Sequence, residues 1–407
     1  MNLRHVVCVC GLLVAGFPVP VALSQEAQTV RPEIGKPLQA ALELLKGKKG
    51  KEALTRAREA QAVPNKTPYE SYLATRVFAQ AAAAAGEYAA AASAFETVAG
   101  AGAAPDAERR QFLAAAAGQH YLAKDYAKAA ETASRYARQG GTDKSVRTIY
   151  VQSLYLGNNF AAAAKAISAD VEAEEGAGKA PAEEQLQLLV NAYLQQRDTA
   201  GYVRAMEKLV TYYPKRDYWL NLVHGIATRP GFSERLALDV ARLKIETGTM
   251  RTAQEYLEAA QLSLIDGFPL EAARIIDKGY AAGLLGSGPE AERHKRLKEM
   301  AAKGVAEDKK SLDADATAPK DANAVFNEGF NLVLHGKADK GLAMMQEGMR
   351  RGTGPSKRPD HARLQLAYAY HLAAQNERAI QLFKGVQGSD GSAALARLWV
   401  IRLGRTP

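Results

Sequence analysis

Apolar positions along this chain fall in short alanine-rich runs with helical spacing. GEYAAAASAF at 86–95, KDYAKAAETA at 124–133 and NNFAAAAKAI at 158–167 repeat one phrase. A polar or small residue comes first, then an aromatic, then small apolar residues. The residue that opens each such helix serves as a marker. The markers are Gly50, Tyr88, Tyr126, Phe160, Thr199, Phe232, Phe268, Ala338 and Asn376, with steps of 38, 38, 34, 39, 33, 36, 70 and 38. The step of 70 is close to two units. Each unit has room for two helices of about 12–15 residues and two turns. Residues 69–85 and 107–122, rich in alanine and leucine, predict first helices. Gly86, Gly140-Gly141, Gly157 and Pro214 supply turn signals. No stretch shows the period-two alternation of strands. A fixed period of this length marks a stacked array. The expected fold class is therefore all-α, a solenoid of tandem helix-turn-helix repeats.

These residues resemble the tetratricopeptide repeat family, whose unit of about 34 residues is a helix-turn-helix. Small residues belong where the two helices cross, because backbones approach closely only where side chains are short. Ala79, Ala117 and Val151 fill that place on first helices, and Ala91, Ala129 and Ala163 on second helices. Tyr88, Tyr126 and Phe160 open second helices, and Phe95 and Ile167 follow deeper in. Trp219 matches the family's early tryptophan and Pro214 its terminal proline. The resemblance runs from about residue 36 to 403. It is strongest over 69–170 and 326–386, weak over 217–243 where Arg229-Pro230-Gly231 distorts a turn, and absent from 289–318. It implies a right-handed superhelix with a concave wall lined by first helices.

The two ends and one charged stretch set the expected organisation. Residues 1–5 carry one cation, Arg4, and residues 6–21 are apolar but broken by Pro18 and Pro20. Ala22-Leu23-Ser24 offers small residues for cleavage, so 1–24 reads as a secretory signal peptide cut after Ser24. Residues 25–35 read as a disordered leader, 36–288 as the N-terminal array and 321–407 as C-terminal repeats. Between them, 290–321 holds eight cations and eight anions with sparse apolar residues Leu297, Met300 and Val305. The stretch 289–320 thus predicts a charged helix or hinge, with a continuous solenoid carrying one degenerate unit as the alternative.

Charge and chemistry then narrow the function. Lys and Arg number 53 against 44 Asp and Glu, for a net charge of +9. Loss of Arg4 with the signal leaves +8. The two cysteines, Cys8 and Cys10, both lie in the signal segment, so the mature chain has no disulfide, thiolate site or cysteine nucleophile. The histidines show neither H-E-x-x-H nor zinc spacing. His120 reads as a packing histidine. Gly388-Ser389-Asp390-Gly391 reads as a turn and helix cap, since no strand precedes it as a nucleophile elbow requires. The glycine- and cation-rich stretches 47–51 and 352–358 lack the spacing of a phosphate loop. Glu174-Glu175 and Glu183-Glu184 flank a polar loop, where carboxylates in water do no acid–base work. The aromatic group Tyr212, Tyr213, Tyr218 and Trp219 reads as interhelical core with exposed tyrosine rims. No catalytic residue, cofactor or metal is expected.

By position in the family's repeat, the groove candidates are Arg76, Gln80, Gln111, Tyr121, Thr148, Gln152, Tyr155, Gln187 and Asn191. Gln80, Gln152 and Asn191 occupy corresponding places and make a partial amide ladder for an extended peptide backbone. Tyr121 and Tyr155 add flat anchors. Some family members clamp a terminal carboxylate. Here Arg76 and Gln80 hold two of those places while Ala115, Ser145 and Ile149 hold the rest, so the clamp is not present. The expected role is an exported, non-enzymatic scaffold or assembly factor of the bacterial cell envelope, periplasmic or secreted, that takes a protein or peptide partner. Nucleic acid is not expected, because export removes it from reach. Membrane contact is expected only through an uncleaved signal segment. The alternative is binding to an anionic envelope polymer or lipid surface through basic patches at 46–51, 293–298 and 350–358. An enzyme with a site near 289–318 is the third reading.

Overall fold

The computed structural model describes residues 29–102, 104–313, 321–352 and 358–404. The expected signal segment and most of the 352–358 turn lie outside the described residues. Among the described residues all regular structure is helical. The helices are α1 (Pro32–Lys46), α2 (Gly50–Ala62), α3 (Pro68–Ala85), α4 (Tyr88–Gly100), α5 (Asp106–Leu122), α6 (Tyr126–Arg138), α7 (Lys144–Leu156) and α8 (Phe160–Gly176). They continue as α9 (Glu183–Gln195), α10 (Thr199–Tyr212), α11 (Arg216–Ala227), α12 (Ala237–Glu246), α13 (Ala253–Ile265) and α14 (Pro269–Ala281). The last are α15 (Ala291–Asp313), α16 (Ala322–Leu334), α17 (Ala338–Arg351), α18 (Pro359–Leu372), α19 (Asn376–Lys384) and α20 (Ser392–Leu403). A 3-10 turn, Glu234–Leu236, precedes α12. The chain forms two compact units. Unit 1 holds residues up to 173 with 195–197, and unit 2 holds 174–194 and the chain from 198 onward.

The expected markers coincide with helix starts at Gly50, Tyr88, Tyr126, Phe160, Thr199, Ala338 and Asn376. Phe268 caps α14 instead of opening it. Phe232 departs further: Pro230 and the positive φ of Gly231 turn the chain, and α12 starts only at Ala237. Two residues before most second helices the backbone is left-handed, at Lys48, Gly86, Lys124, Asn158, Arg197, Gly267, Gly336 and Ala374. One turn geometry therefore repeats along the array, even where a side chain makes it costly.

Helix crossings use small residues as expected. Ala79, Ala117, Ala91, Ala129 and Ala163 are fully buried. α16 and α17 come closer still, through Gly329 and Gly341. A Cβ on Gly329 would lie 2.6 Å from the Gly341 carbonyl oxygen. α3 begins with a capping box, in which Thr67 and Glu70 satisfy each other's free N–H groups. The Glu70 carboxylate also binds Arg31 at 3.0 Å, and that bond with the two N–H donors holds its pKa down to about 2. This bond ties the start of α1 to α3, and α1 begins at Pro32, within the stretch read as a leader.

The charged stretch is a helix over its described part. α15 packs against α14, burying Leu297 and Ala301 with Ile275, Ile276 and Leu285. Met300 stays exposed. The 388–391 segment is a turn, with Gly391 at φ 106° before α20 and Asp390 accepting from the Ser392 N–H and hydroxyl.

Candidate functional site

In unit 1 consecutive first helices touch through their side chains. Tyr72 of α3 donates to Glu108 of α5 at 2.9 Å, and Arg76 pairs with the same carboxylate at 3.2 Å. The Arg76 guanidinium also lies 5.6 Å from the Phe112 ring centroid. Burial and the bond to Glu108 push the Tyr72 hydroxyl up to about 12. Arg76 is thus a strut between α3 and α5 as much as a groove residue.

Tyr121 and Tyr155 each rest edge-on against the aromatic that opens the following helix. The partners are Tyr126 at 5.8 Å and Phe160 at 5.3 Å. Desolvation raises the Tyr155 hydroxyl above its ordinary pKa. These rings are fixed platforms with half-exposed faces. Gln80 and Gln152 are half-buried, each eight residues before its second helix, and Gly118 takes the same place on α5 between them. Gln111 and Thr148 are exposed, and the Thr148 hydroxyl is returned to the Lys144 carbonyl at 3.0 Å. Half-buried amides suit an extended backbone, which offers both donors and acceptors.

Gln187 and Asn191 belong to unit 2 and are engaged there. Gln187 donates to the Tyr218 hydroxyl, which donates to Glu183, and Asn191 donates to the Gln187 carbonyl at 2.9 Å. The ladder therefore has two amides with open places in unit 1, and its third member is tied within α9. Glu183 is also ion-paired to Lys215, which with Tyr218 holds its pKa below the usual range. Glu175 pairs with Lys208 at 2.6 Å and accepts from Tyr212 at 3.1 Å. These carboxylates are structural partners and not free groups in a loop. Tyr218 and Trp219 are buried, as expected for interhelical core.

Sequence reasoning missed the apolar half of the unit 1 face. Leu122 and Leu156 end α5 and α7 and are 44% and 43% exposed, beside Tyr121 and Tyr155. Leu42 of α1 is exposed to a similar degree. The signal was present: a Tyr-Leu pair precedes the turn at 121–122, 155–156 and 193–194, in step with the repeat. Among the described residues no group of three or more His, Cys, Asp or Glu is placed to hold a metal ion. No described helix is long and apolar enough to cross a membrane.

The small-residue crossings, repeated turns and sequential helix pairing make this an all-α array of tandem helix-turn-helix repeats, the fold class expected from the sequence. Solved structures of tetratricopeptide domains are similar to it. The TPR2AB domain of yeast Sti1 in its pHSP90 complex shares 15% identity over 66% of this chain and 98% of its own, with a TM-score of 0.32. The tetratricopeptide domain of P58(IPK) shares 13% identity over 91% of this chain and 97% of its own, with a TM-score of 0.22. Superpositions this loose carry no detail of a site. No protein-family model matches the chain, and no curated protein matches it.

Proposed function

We propose that the chain is an exported, non-catalytic interaction scaffold or assembly factor of the bacterial cell envelope, and that it takes a peptide segment of a partner protein on the first-helix face of unit 1. One observation carries the reading. Gln80 and Gln152 offer hydrogen bonds at matching places while Leu122 and Leu156 leave apolar side chains in water beside fixed tyrosine rings. Amides serve a main chain, and exposed leucines beside flat rings serve its side chains. Export rests on the apolar run at 6–21 and the small residues before the cut.

In-cell crosslinking of the full chain tests this, with a Gln152→Ala, Leu156→Ala variant as control. A discrete protein captured by the wild type and lost in the folded variant supports the reading. Capture that is unchanged moves the binding surface elsewhere. Retention on anionic envelope polymer alone, with no protein captured, replaces the reading with polymer binding. Fractionation of cells expressing the chain with and without residues 1–24 tests export. Equal distribution of the two forms removes it.

A further inference from the structure

The repeat register puts Phe330 on α16 and Tyr368 on α18, each eight residues before its second helix. Gln80 and Gln152 hold those places in unit 1. In unit 2 these places are covered by a helix of the chain itself. α12 carries Asp239, Arg242 and Glu246 at i, i+3 and i+7, which puts them on one face. Asp239 lies 3.0 Å from His361 of α18. The Arg242 guanidinium lies 5.2 Å from the Phe330 ring centroid and 4.9 Å from that of Tyr368. Glu246 meets His371 of α18 at 3.6 Å and Arg402 of α20 at 2.9 Å.

The remainder of α12 belongs to the repeat it was born in. Ala241, on the opposite side, joins the apolar cluster of Met250, Tyr256 and Leu257. Arg242 is also held by Glu271 of α14 at 2.8 Å. Polar bonds close the rim. The Ser233 N–H donates to the Asp390 carbonyl at 2.8 Å, Arg397 pairs with Glu207 at 3.2 Å, and Arg274 donates to the Leu334 carbonyl at 2.8 Å. Asp239 and Glu246 thus meet His361 and His371 of α18 and Arg402 of α20, while Arg242 faces the rings of α16 and α18 and keeps its counter-charge, Glu271, on α14. Two tilted rings beside one arginine, flanked by an imidazole for each acid, read a side-chain pattern. Buried ion pairs of this kind give little net stability but strongly disfavour a mismatched partner, and arginine over aromatic faces adds attraction.

We infer that the face formed by α16, α18 and α20 is a helix-binding groove whose ligand is supplied in cis by α12, recognised through an acid–arginine–acid triplet at i, i+3 and i+7. The class of outside partner it takes is an amphipathic helix with the same triplet, in competition with α12. This site is independent of the unit 1 face, and neither reading depends on the other.

The test uses the full chain and a fluorescent peptide of residues 233–249. Asp239→Ala, Glu246→Ala removes two contacts of the cis ligand and leaves Arg242 with Glu271. The expected result is peptide binding about tenfold or more tighter to the variant than to the wild type, lost again when His361→Ala is added. Hydrogen exchange should then rise in α16, α18 and α20 of the variant and stay unchanged in α13–α15. Equal peptide binding by wild type and variant overturns the inference, and so does exchange that rises equally across α13–α15, since α12 would then be ordinary core. If the double variant loses its circular dichroism, the single His371→Ala chain takes its place. Unchanged exchange in α12 and α18 of that chain overturns the inference as well.

Discussion

Gln80 and Gln152 in unit 1, and Phe330 and Tyr368 in unit 2, stand at one position of one repeat. The first pair keeps open places beside exposed leucines. The second pair lies against Arg242, with Phe330 fully buried and Tyr368 half-buried. The scaffold is the same, so the difference lies in residue type alone. An amide can stand half-wet at little cost, while covering an aromatic ring gains the free energy of removing its apolar area from water. Which face is free and which is filled follows from that choice.

The largest effect should come from Arg242→Met. It strands Glu271 and Asp239, which are buried with the arginine, and removing one partner of such a group costs about 3–5 kcal/mol. Gln152→Met at its own place in unit 1 should stay within about 0.5 kcal/mol. Urea unfolding followed by circular dichroism measures both, and equal losses would break the comparison. Next comes Gly329→Ala. Its new methyl group meets the Gly341 carbonyl, and overpacking of this kind costs roughly 1–3 kcal/mol. At the matching crossing in unit 1, Ala79→Gly should cost about 1 kcal/mol of helix propensity and roughly 0.8 kcal/mol more for the buried methyl group it removes.

The smallest effect should be that of pH on the sealed face. The bond to Asp239 holds His361 above the ordinary histidine value despite burial. Burial pulls His371 down, but Glu246 and Asn376 outweigh it and leave its pKa raised. Both contributions are complete below the ordinary value near 6.5 and are lost as pH rises through the raised values. The bond from His361 keeps Asp239 below its usual range against burial, and the bond from His371 lowers Glu246. Their contributions are present above the ordinary carboxylate range and are lost as pH falls through the lowered values. Arg242, Asp266 and Asp390 also face His361, and Lys278 and Arg402 face the Glu246 pair. Exchange protection of α18 should therefore peak at about pH 5–6, between the ordinary carboxylate and histidine ranges, and decline above neutrality. Protection of α7, which carries no histidine, should not share that decline.

Much of the fold was legible because its cause is local. Tyr126 and Phe160 announce second helices, and Ala91, Ala129 and Ala163 announce close crossings. Phe232 misled because Pro230 and a 3-10 turn delay α12 by several residues. The site was legible only in part. Gln80, Gln152, Tyr121 and Tyr155 could be placed by register, and Leu122 and Leu156 could have been. That Gln187 is spent on Tyr218 depends on a neighbouring repeat, which register does not describe. Contact between α12 and α18 lies further out of reach. Periodicity predicts which units are neighbours, and Asp239 and His361 are 122 residues apart.

That separation governs how the chain is made. In unit 1 partners such as Tyr72 and Glu108 are 36 residues apart, so each repeat can close on the last as it leaves the ribosome. Arg242 and its two acids cannot be sealed in that way. They must wait through the synthesis of six more helices, and Glu207 waits 190 residues for Arg397. Contacts at such range are slow to form. A ribosome halted before α18 would release a nascent chain with a settled first half and a second half still lacking its closure, the state that a chaperone or a protease would meet first.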